Sequence, residues 1–570
     1  MRSGPGLAIQ CSINQRLPCD RRLVSPPLFH LLLMHSLTSL LVAGSSLAVA
    51  LSSAAISETN HIVDELEHLL VDTDGFNDAG FQKAITPCSN YVSGSQLLGR
   101  ETAAQWIRVA FHDFATADVH SGTGGIDASI GFETLRPENS GSAMNDSLGF
   151  FAPFVNAHVS MADLIALSVV MSVGTCSSPN IILPLRGGRI DATEGGLFGV
   201  PEPETDLETT LSQFSQAGFH QADAIGLTIC GHSVGSVHHG GFPQVVPESA
   251  VTPTNQGGGI HFDATPDIFD VDVLNEYLDW KGQRGGPLVT TDNITVRSDL
   301  RLYLSDNNAT LQGLARSSSD FTSSCVSLLT RMINTVPASA HLTDPIQPIE
   351  VKPVNVSLTV DYSGRVSFSG YIRLLSSNFK STDLVRITWS SRSGQQAPAF
   401  AAFATLAGTG NSSIFGATFY HFFNTTVDPN EGISSYTVKI LQPDGKPSSS
   451  HSVTFSMEDT TIFLSAETAT RADGNIALYA TALSAAFVHN VTAEISAPSP
   501  QSGTISPAIL KSAVTFVQNG TRGLYSLFTA AIPTPPNLRQ STLDLIAYAD
   551  RGVVYKDEFR RIASVESNWN

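Results

Sequence analysis

The chain has 570 residues, of which 42% are hydrophobic and 15% are charged, and 32 Lys and Arg against 51 Asp and Glu give a formal net charge of -19. This length allows two to four domains of about 150 residues each, and the hydrophobic content excludes a disordered chain. The acidic balance, with no basic block, excludes nucleic acid as a partner, because binding to a phosphate backbone needs clustered Lys and Arg.

The first predicted element is a secretory signal region over residues 1–55. Its long apolar run follows Arg21 and Arg22 and ends in small residues suited to signal cleavage. Because Met34 stands directly before part of this run, residues 1–33 are either an extension of the gene model or a long n-region. In both cases we expect a secreted, extracellular protein.

Four of the six cysteines lie beyond the signal region. An even number in an oxidising compartment permits two disulfides, and the sequence allows any of three connectivities among Cys88, Cys176, Cys230 and Cys325. Eight Asn-x-Ser/Thr sequons fit passage through a glycosylating pathway. No later run reaches the roughly 18 apolar residues that a membrane span needs. We therefore expect a glycosylated protein without a membrane span. We also expect it to be a monomer.

Residues 56–345 are predicted to form one mainly helical domain. Apolar residues recur at helical spacing from Asn60 to Leu70, and Ser160 opens an apolar run with Asp163 in its first turn. Arg189 follows in a Gly-rich segment, and we expect it to pair with Asp163.

After the Pro-rich junction at 344–353, the pattern changes to the period-two alternation that is typical of β-strands. This region is predicted to be all-β, with two sandwich-like modules at 346–458 and 459–570. Trp389 and Tyr420 are candidates for exposed aromatics that contact polysaccharide or cell wall. The interpretation that we favour over this one is a packed β-sandwich that covers or stabilises the helical domain.

The segment Arg108-Val109-Ala110-Phe111-His112-Asp113 carries the first candidate site. Residues four apart lie on one face of a helix, so the guanidinium of Arg108 and the imidazole of His112 can converge on one small ligand. Glu133 and Asn139 follow downstream.

A group of oxygen ligands overlaps this segment. Asp113 is followed by a Gly-rich loop that contains the Gly125 carbonyl, Asp127 and Ser129. Carboxylate, carbonyl and hydroxyl oxygens are the ligands that a hard cation such as Ca²⁺ requires. We therefore expect a calcium site in this loop.

Three later segments complete the pattern. His232 and Ser233 follow an apolar helical run, Phe262 opens the Asp-rich segment 262–270, and Asp299 ends an Arg-Ser-Asp motif. Together with the first candidate site, these segments resemble the plant-type haem peroxidase superfamily, specifically its secreted fungal members with two calcium sites. The resemblance covers roughly 60–340 and implies haem b and two Ca²⁺ as cofactors and hydrogen peroxide as a substrate.

The resemblance assigns roles on both sides of the haem. His112 would be the distal base, Arg108 the distal cation and Phe111 the distal-pocket aromatic. Asn139 would accept a hydrogen bond that orients His112, with Glu133 behind it.

On the proximal side, the resemblance implies that His232 binds the haem iron. Phe262 would pack against its ring, and Asp299 would accept its Nδ1 proton. Such a carboxylate raises the electron density at the iron and favours higher oxidation states. The implied ligands of a proximal calcium are Ser233, Asp263, Thr265, the Ile268 carbonyl and Asp270.

The sequence departs from the lignin-active members of this family. Glu101, Gln105 and His238 stand where manganese peroxidases have three carboxylates, so a Mn²⁺ site of that kind is not expected. Leu227 stands where other members have an exposed Trp. We therefore expect one-electron oxidation of small phenols or aromatic amines at the haem edge. The alternative is an extracellular adhesion or wall-binding protein with a vestigial peroxidase domain.

Overall fold

The computed structural model describes residues 60–89, 99–445 and 447–563, and the predicted signal region lies outside them. Up to residue 333 the described chain is mainly helical, with short 3-10 turns and three very short strands. The helices are α1 (60–71), α2 (Thr102–Phe114), α3 (Ile130–Glu133), α4 (Ala143–Phe151), α5 (Met161–Thr175), α6 (Leu207–Gln216), α7 (Gln221–Gly231), α8 (Asp272–Asp279), α9 (Pro287–Thr290), α10 (Ser298–Leu304), α11 (Ala309–Leu314) and α12 (Ser318–Ile333). The short strands are β1 (Asp74–Gly75), β2 (Ser236–His238) and β3 (Gly259–His261).

Helix α5 lies at the centre of the helical domain. The Ser160 hydroxyl accepts a hydrogen bond from the Asp163 N–H at 3.0 Å, which caps the helix. Residues 161–174 are all buried, as expected for a helix that is apolar on every face. Arg189 forms the expected ion pair with Asp163 at 3.0 Å.

The structure selects one of the three disulfide connectivities. Cys88 bonds to Cys176 and Cys230 bonds to Cys325. The second disulfide joins α7 to α12, two residues before His232. None of the described helices is long and apolar enough to cross a membrane.

Beyond residue 345 the described chain forms antiparallel strands, so the prediction of a mainly α domain followed by an all-β region of two modules is confirmed. The strands fall within the segments predicted for the two modules, whose boundaries stay a prediction. The first module contains β4 (Val351–Val360), β5 (Val366–Leu375), β6 (Leu384–Ser390), β7 (Gln396–Ser412), β8 (Gly416–Val427), β9 (Ser435–Leu441) and β10 (Pro447–Ser456). The second contains β11 (Thr461–Phe463), β12 (Ala469–Thr470), β13 (Asn475–Leu483), β14 (Val488–Ser499), β15 (Ala508–Arg522), β16 (Tyr525–Pro533), β17 (Thr542–Ala549) and β18 (Val554–Arg561).

The two modules have the same topology. Their strand orders are β4-β5-β8-β7-β6-β9-β10 and β11-β13-β16-β15-β14-β17-β18, which coincide position by position. In each module one long strand changes partner along its length: β7 pairs first with β6 and then with β8, and β15 pairs first with β14 and then with β16. This strand order is that of an immunoglobulin-type sandwich.

A buried ion-pair network joins α1 to the first module. Arg373 on β5 donates hydrogen bonds to Glu67 and, at 3.0 Å, to Asp72, and Lys352 on β4 donates to Glu67 at 2.7 Å. Burial alone would raise the pKa of Asp72, but the hydrogen bond from His68 and the charge of Arg373 lower it to about 2. Strand β1 extends this junction by pairing with β7. The first module is therefore built onto the helical domain.

The structure corrects the prediction that Trp389 and Tyr420 are exposed. Their exposed fractions are 4% and 0%. Trp389 packs edge-on against Phe368, and the Tyr420 hydroxyl donates to Asp72 at 2.5 Å. Neither ring can contact a polysaccharide, because one lies in the module's own core and the other lies at the junction with α1.

Replacing Arg373 with Met should reduce the free energy of unfolding by about 3–5 kcal/mol, because removal of one partner leaves buried charges uncompensated. Denaturant unfolding of the whole protein measures this change. Arg365→Met is the matched control, since Arg365 forms an exposed ion pair with Asp361 at 3.2 Å in the same module, and surface pairs contribute little. If the two variants lose the same free energy of unfolding, the buried network contributes no more to stability than an exposed ion pair.

Candidate functional site

A cavity of about 240 Å³ brings the two predicted histidine segments together. Arg108, Phe111 and His112, all on α2, line it. His232 follows α7 directly and also lines it, as do Phe262 and Asp299.

A chain of hydrogen bonds orients the His112 imidazole. His112 Nδ1 lies 2.7 Å from Asn139 Oδ1, and Asn139 Nδ2 donates to the Glu133 carbonyl at 3.0 Å. The Glu133 carboxylate in turn accepts the Gly196 N–H at 2.6 Å. With Nδ1 donating to the amide oxygen, the Nε2 of His112 is the ring nitrogen that can accept a proton.

The Arg108 guanidinium is held beside this imidazole. It donates to the Ser140 carbonyl at 2.9 Å and lies 5.5 Å from the centre of the Phe242 ring. Burial and the nearby charge of Arg100 lower the pKa of Arg108 to about 10, so this side chain stays charged at neutral pH. Burial and the Arg108 charge lower the pKa of His112 to about 3, so the imidazole is neutral.

His232 is oriented by a carboxylate and an aromatic ring. Its Nδ1 lies 2.7 Å from Asp299 Oδ2, and its ring stacks on Phe262 at 4.1 Å between centroids with an interplanar angle of 6°. Nε2 forms no hydrogen bond to the described part of the chain. A neutral His232 therefore presents Nε2 as an electron-pair donor.

Three contacts in this site were not predicted from the sequence. The Tyr303 hydroxyl lies 3.4 Å from Asp299 Oδ2, and Ser140 and Phe242 hold Arg108. Tyr303 is four residues after Asp299 on α10, so helical spacing alone could have indicated that contact. Ser140 contributes a backbone carbonyl, which carries no sequence signal.

The residues present fit a haem. The free Nε2 of His232 is the atom that an iron ion needs as an axial ligand. His112 and Arg108 line the same cavity from a different helix. Apolar side chains suited to the faces of a porphyrin complete the lining, among them Leu227, Val234, Leu288, Leu302 and Met332.

The predicted distal calcium ligands lie close together. Asp113 Oδ1 lies 3.5 Å from the Ser129 hydroxyl, the Asp127 carboxylate accepts the Ser129 N–H at 3.0 Å, and the Gly125 carbonyl accepts the Asp127 N–H at 2.9 Å. Burial and the charge of Asp127 raise the pKa of Asp113. Two buried carboxylates that repel each other fit a bound cation.

The proximal set is brought together in part. The Thr265 hydroxyl lies 3.4 Å from both Asp263 Oδ1 and Asp270 Oδ2, and the Ile268 N–H donates to the Thr265 carbonyl at 2.9 Å. Ser233 instead donates its hydroxyl to the Cys230 carbonyl at 3.0 Å.

Within this set, Asp263 is the carboxylate whose surroundings most clearly lack a positive charge. Its buried Oδ2 has no hydrogen-bond partner among the described residues, and burial together with the charge of Asp270 raises its pKa to about 7. The described residues contain no cluster of three or more His, Cys, Asp or Glu that could hold a metal ion. Each predicted calcium set has two carboxylates, and its other ligands are hydroxyl and carbonyl oxygens.

Glu101, Gln105, His238 and Leu227 also line the cavity. Burial raises the pKa of Glu101 to about 7, although the Ser236 hydroxyl donates to it at 3.3 Å. Burial and the charge of Arg100 lower the pKa of His238 to about 4. These residues therefore present one carboxyl and one neutral imidazole near neutral pH.

Comparisons with known proteins agree with this geometry. The family model described as peroxidase matches residues 89–318. A WSC domain-containing protein of Arthroderma benhamiae is 32% identical over 502 residues, covering 86% of this chain and 66% of the relative. Manganese peroxidase 2 of Phlebia radiata is 29% identical over 240 residues, covering 38% and 57%. Putative L-ascorbate peroxidase 6 of Arabidopsis thaliana is 34% identical over 140 residues, covering 24% and 41%.

The chain thus spans 41–66% of the length of these relatives. The similarity to the Arthroderma protein is longer than the helical half of the chain and so includes part of the β-region. The two peroxidase relatives align over much shorter stretches. Over residues 89–318, this chain therefore carries a domain of the plant-type haem peroxidase superfamily, and an all-β region follows it.

Proposed function

We propose that the protein is a secreted haem peroxidase that reduces hydrogen peroxide and oxidises small phenols or aromatic amines in one-electron steps at the cavity edge. The observation that carries this proposal is that one cavity holds two differently oriented histidines. His112 is hydrogen-bonded to an amide and His232 to a carboxylate. A carboxylate partner, as at His232, raises the basicity of a histidine that binds a metal.

In this proposal His232 would hold the haem iron through Nε2, and Asp299 would increase the electron donation from the His232 ring. A bound haem would supply the redox chemistry that couples reduction of one peroxide molecule to oxidation of two molecules of the reducing substrate. His112 accepts a proton from one peroxide oxygen at Nε2 and returns it to the other. Arg108 stabilises the negative charge that develops on the departing oxygen.

The departures at the cavity edge support small aromatic donors over Mn²⁺. Glu101 is the only carboxylate at the three positions where manganese peroxidases have one, so Mn²⁺ oxidation is not supported. Leu227 stands in place of the exposed Trp of other members, so oxidation through a surface Trp is not supported either. Steady-state turnover of the whole protein with a phenol, a high-potential dye and Mn²⁺ tests this assignment. Strong Mn²⁺ oxidation without phenol oxidation would overturn it.

A second candidate is a wall-binding or adhesion protein whose peroxidase domain is vestigial. The long similarity to a WSC domain-containing protein is the observation that favours it. The complete set of Arg108, His112, Asn139, His232 and Asp299 favours the enzyme. Purified protein that shows no Soret band after haem is supplied would support the second candidate.

Replacing either histidine should separate binding from reaction. His232→Ala should abolish haem retention, because it removes the axial ligand. His112→Ala should leave haem bound but slow the reaction with peroxide by about 10²–10⁴-fold, the usual contribution of a positioned acid or base. Haem absorbance and stopped-flow kinetics measure the two effects, and equal haem loss in both variants would contradict the assigned roles.

The pH dependence follows from the pKa of His112, which burial and the Arg108 charge lower to about 3. The ring acts as a base only when neutral, so the rate constant for peroxide should stay level from about pH 7 to about pH 4 and fall below that. Stopped-flow measurements across this range test the prediction. A fall centred near about 6.5, the ordinary pKa of His, would contradict it.

Calcium removal should destabilise the protein. A chelator should lower the melting temperature and added Ca²⁺ should restore it, because the buried Asp263 carboxylate would lose its positive partner. Asp263→Asn should remove much of this response. Asp279→Asn on the surface of α8 is the control and should keep it. If a chelator does not lower the melting temperature of the unmodified protein, the calcium proposal is wrong.

A further inference from the structure

The loop between β14 and β15 of the second module, residues 500–507, lies directly against α3 of the helical domain. We propose that this loop positions the hydrogen-bond chain that orients His112. The β-region would then take part in setting the geometry of the distal site. This inference rests on the proposed function only for its effect on peroxide, since the contact itself can be tested without any activity.

A side chain at Gly131 would force the loop side chains to shift. A Cβ added there would lie 2.4 Å from the Thr504 Oγ1 and 3.1 Å from the Ser506 Oγ. A Cβ added at Gly503 would lie 3.8 Å from the Phe132 ring. Gly131 is buried and helical, so its lack of a side chain is explained by this approach and not by a left-handed backbone.

The loop is held by hydrogen bonds between its own residues and by strand pairing at its two ends. The Ser506 N–H donates to Thr504 Oγ1 at 3.2 Å, and Gln501 Nε2 donates to the Ser506 carbonyl at 2.9 Å. Ser499 and Ala508 are paired in the β14–β15 ladder. Ile505 and Ile509 pack against the hydrophobic cluster of the helical domain. The loop can therefore hold α3 in place.

Helix α3 connects this contact to the distal base. The Glu133 carbonyl at its end accepts a hydrogen bond from Asn139 Nδ2 at 3.0 Å, and Asn139 Oδ1 lies 2.7 Å from His112 Nδ1. At the other end of α3, the Ile130 N–H donates to Asp113 Oδ1 at 3.1 Å, and Asp113 is next to His112. A displacement of α3 would thus move both the residue that orients His112 and the residue beside it.

The test is a double-mutant cycle in the full-length protein. Gly131→Ala adds the clashing methyl group without a helix-propensity penalty, since Ala is a better helix former than Gly. Thr504→Ala removes the hydroxyl that clashes together with its hydrogen bond to the Ser506 N–H, so the double variant should relieve the clash and behave like Thr504→Ala alone. Gly149→Ala is the matched control, because nothing lies within 4 Å of a Cβ added at that helical glycine. Thr515→Ala, at an exposed position of β15, controls for Thr504→Ala.

Two measurements are compared across the five variants. Gly131→Ala should speed amide hydrogen exchange in residues 128–139, leave residues 223–231 of α7 unchanged, and slow the reaction with peroxide about tenfold, the lower range for loss of an outer-shell partner. Haem retention should not change. In both exchange and rate, the double variant should match Thr504→Ala alone and lie closer to the unmodified protein than Gly131→Ala does. The two controls should match the unmodified protein.

The outcomes separate this inference from the proposed function. Unchanged exchange in 128–139, or a rate loss that Thr504→Ala does not rescue, overturns the inference and leaves the peroxidase proposal intact. If no variant, nor the unmodified protein, reacts with peroxide, the proposed function fails. The predicted exchange pattern in that case still supports positioning of α3 by the loop.

Discussion

The arrangement of the whole molecule depends on the buried ion pairs between α1 and the first β-module. Glu67 and Asp72 on one side and Arg373 and Lys352 on the other have almost no access to water. Removing Arg373 would leave Glu67 and Asp72 buried with much of their charge uncompensated. The helical domain and the first module are therefore joined as one structural unit.

The two histidines show how local partners give one residue type two chemical roles. The hydrogen bond from His112 to the Asn139 amide raises its pKa less than burial and the Arg108 charge lower it. His232 is instead hydrogen-bonded to the Asp299 carboxylate, a partner that raises the basicity of a histidine that binds a metal. Burial next to Arg108 keeps His112 deprotonated at neutral pH. The cavity thus places a proton acceptor and an electron-pair donor within one small space, and the difference between them is set by the neighbouring side chains.

Much of the site could be predicted because its residues occur in short segments with distinctive spacing. Arg108 and His112 are one helical turn apart, and Asp299 lies in a recognisable motif. Tyr303 was missed although its helical spacing from Asp299 could have indicated the contact. The exposure considered for Trp389 and Tyr420 was wrong. Period-two alternation shows that strand faces differ, but it does not show which face the rest of the molecule covers. The shared topology of the modules was invisible for a related reason: strand order is set by backbone hydrogen bonds, which many sequences can form.

That shared topology has a consequence for how the molecule can vary. The two modules have one strand order but meet the helical domain through different parts. The first does so through strands β4, β5 and β7. The second does so through the β14–β15 loop and through β18, where Arg561 pairs with Glu65 at 3.0 Å. In the first module the attachment is tied to residues of the sheet itself and cannot change without loss of the core. In the second, the length and sequence of a loop can change while the sheet stays intact. A change in the β14–β15 loop can therefore alter the contact with the distal side while the strand order and the Arg561–Glu65 pair are kept.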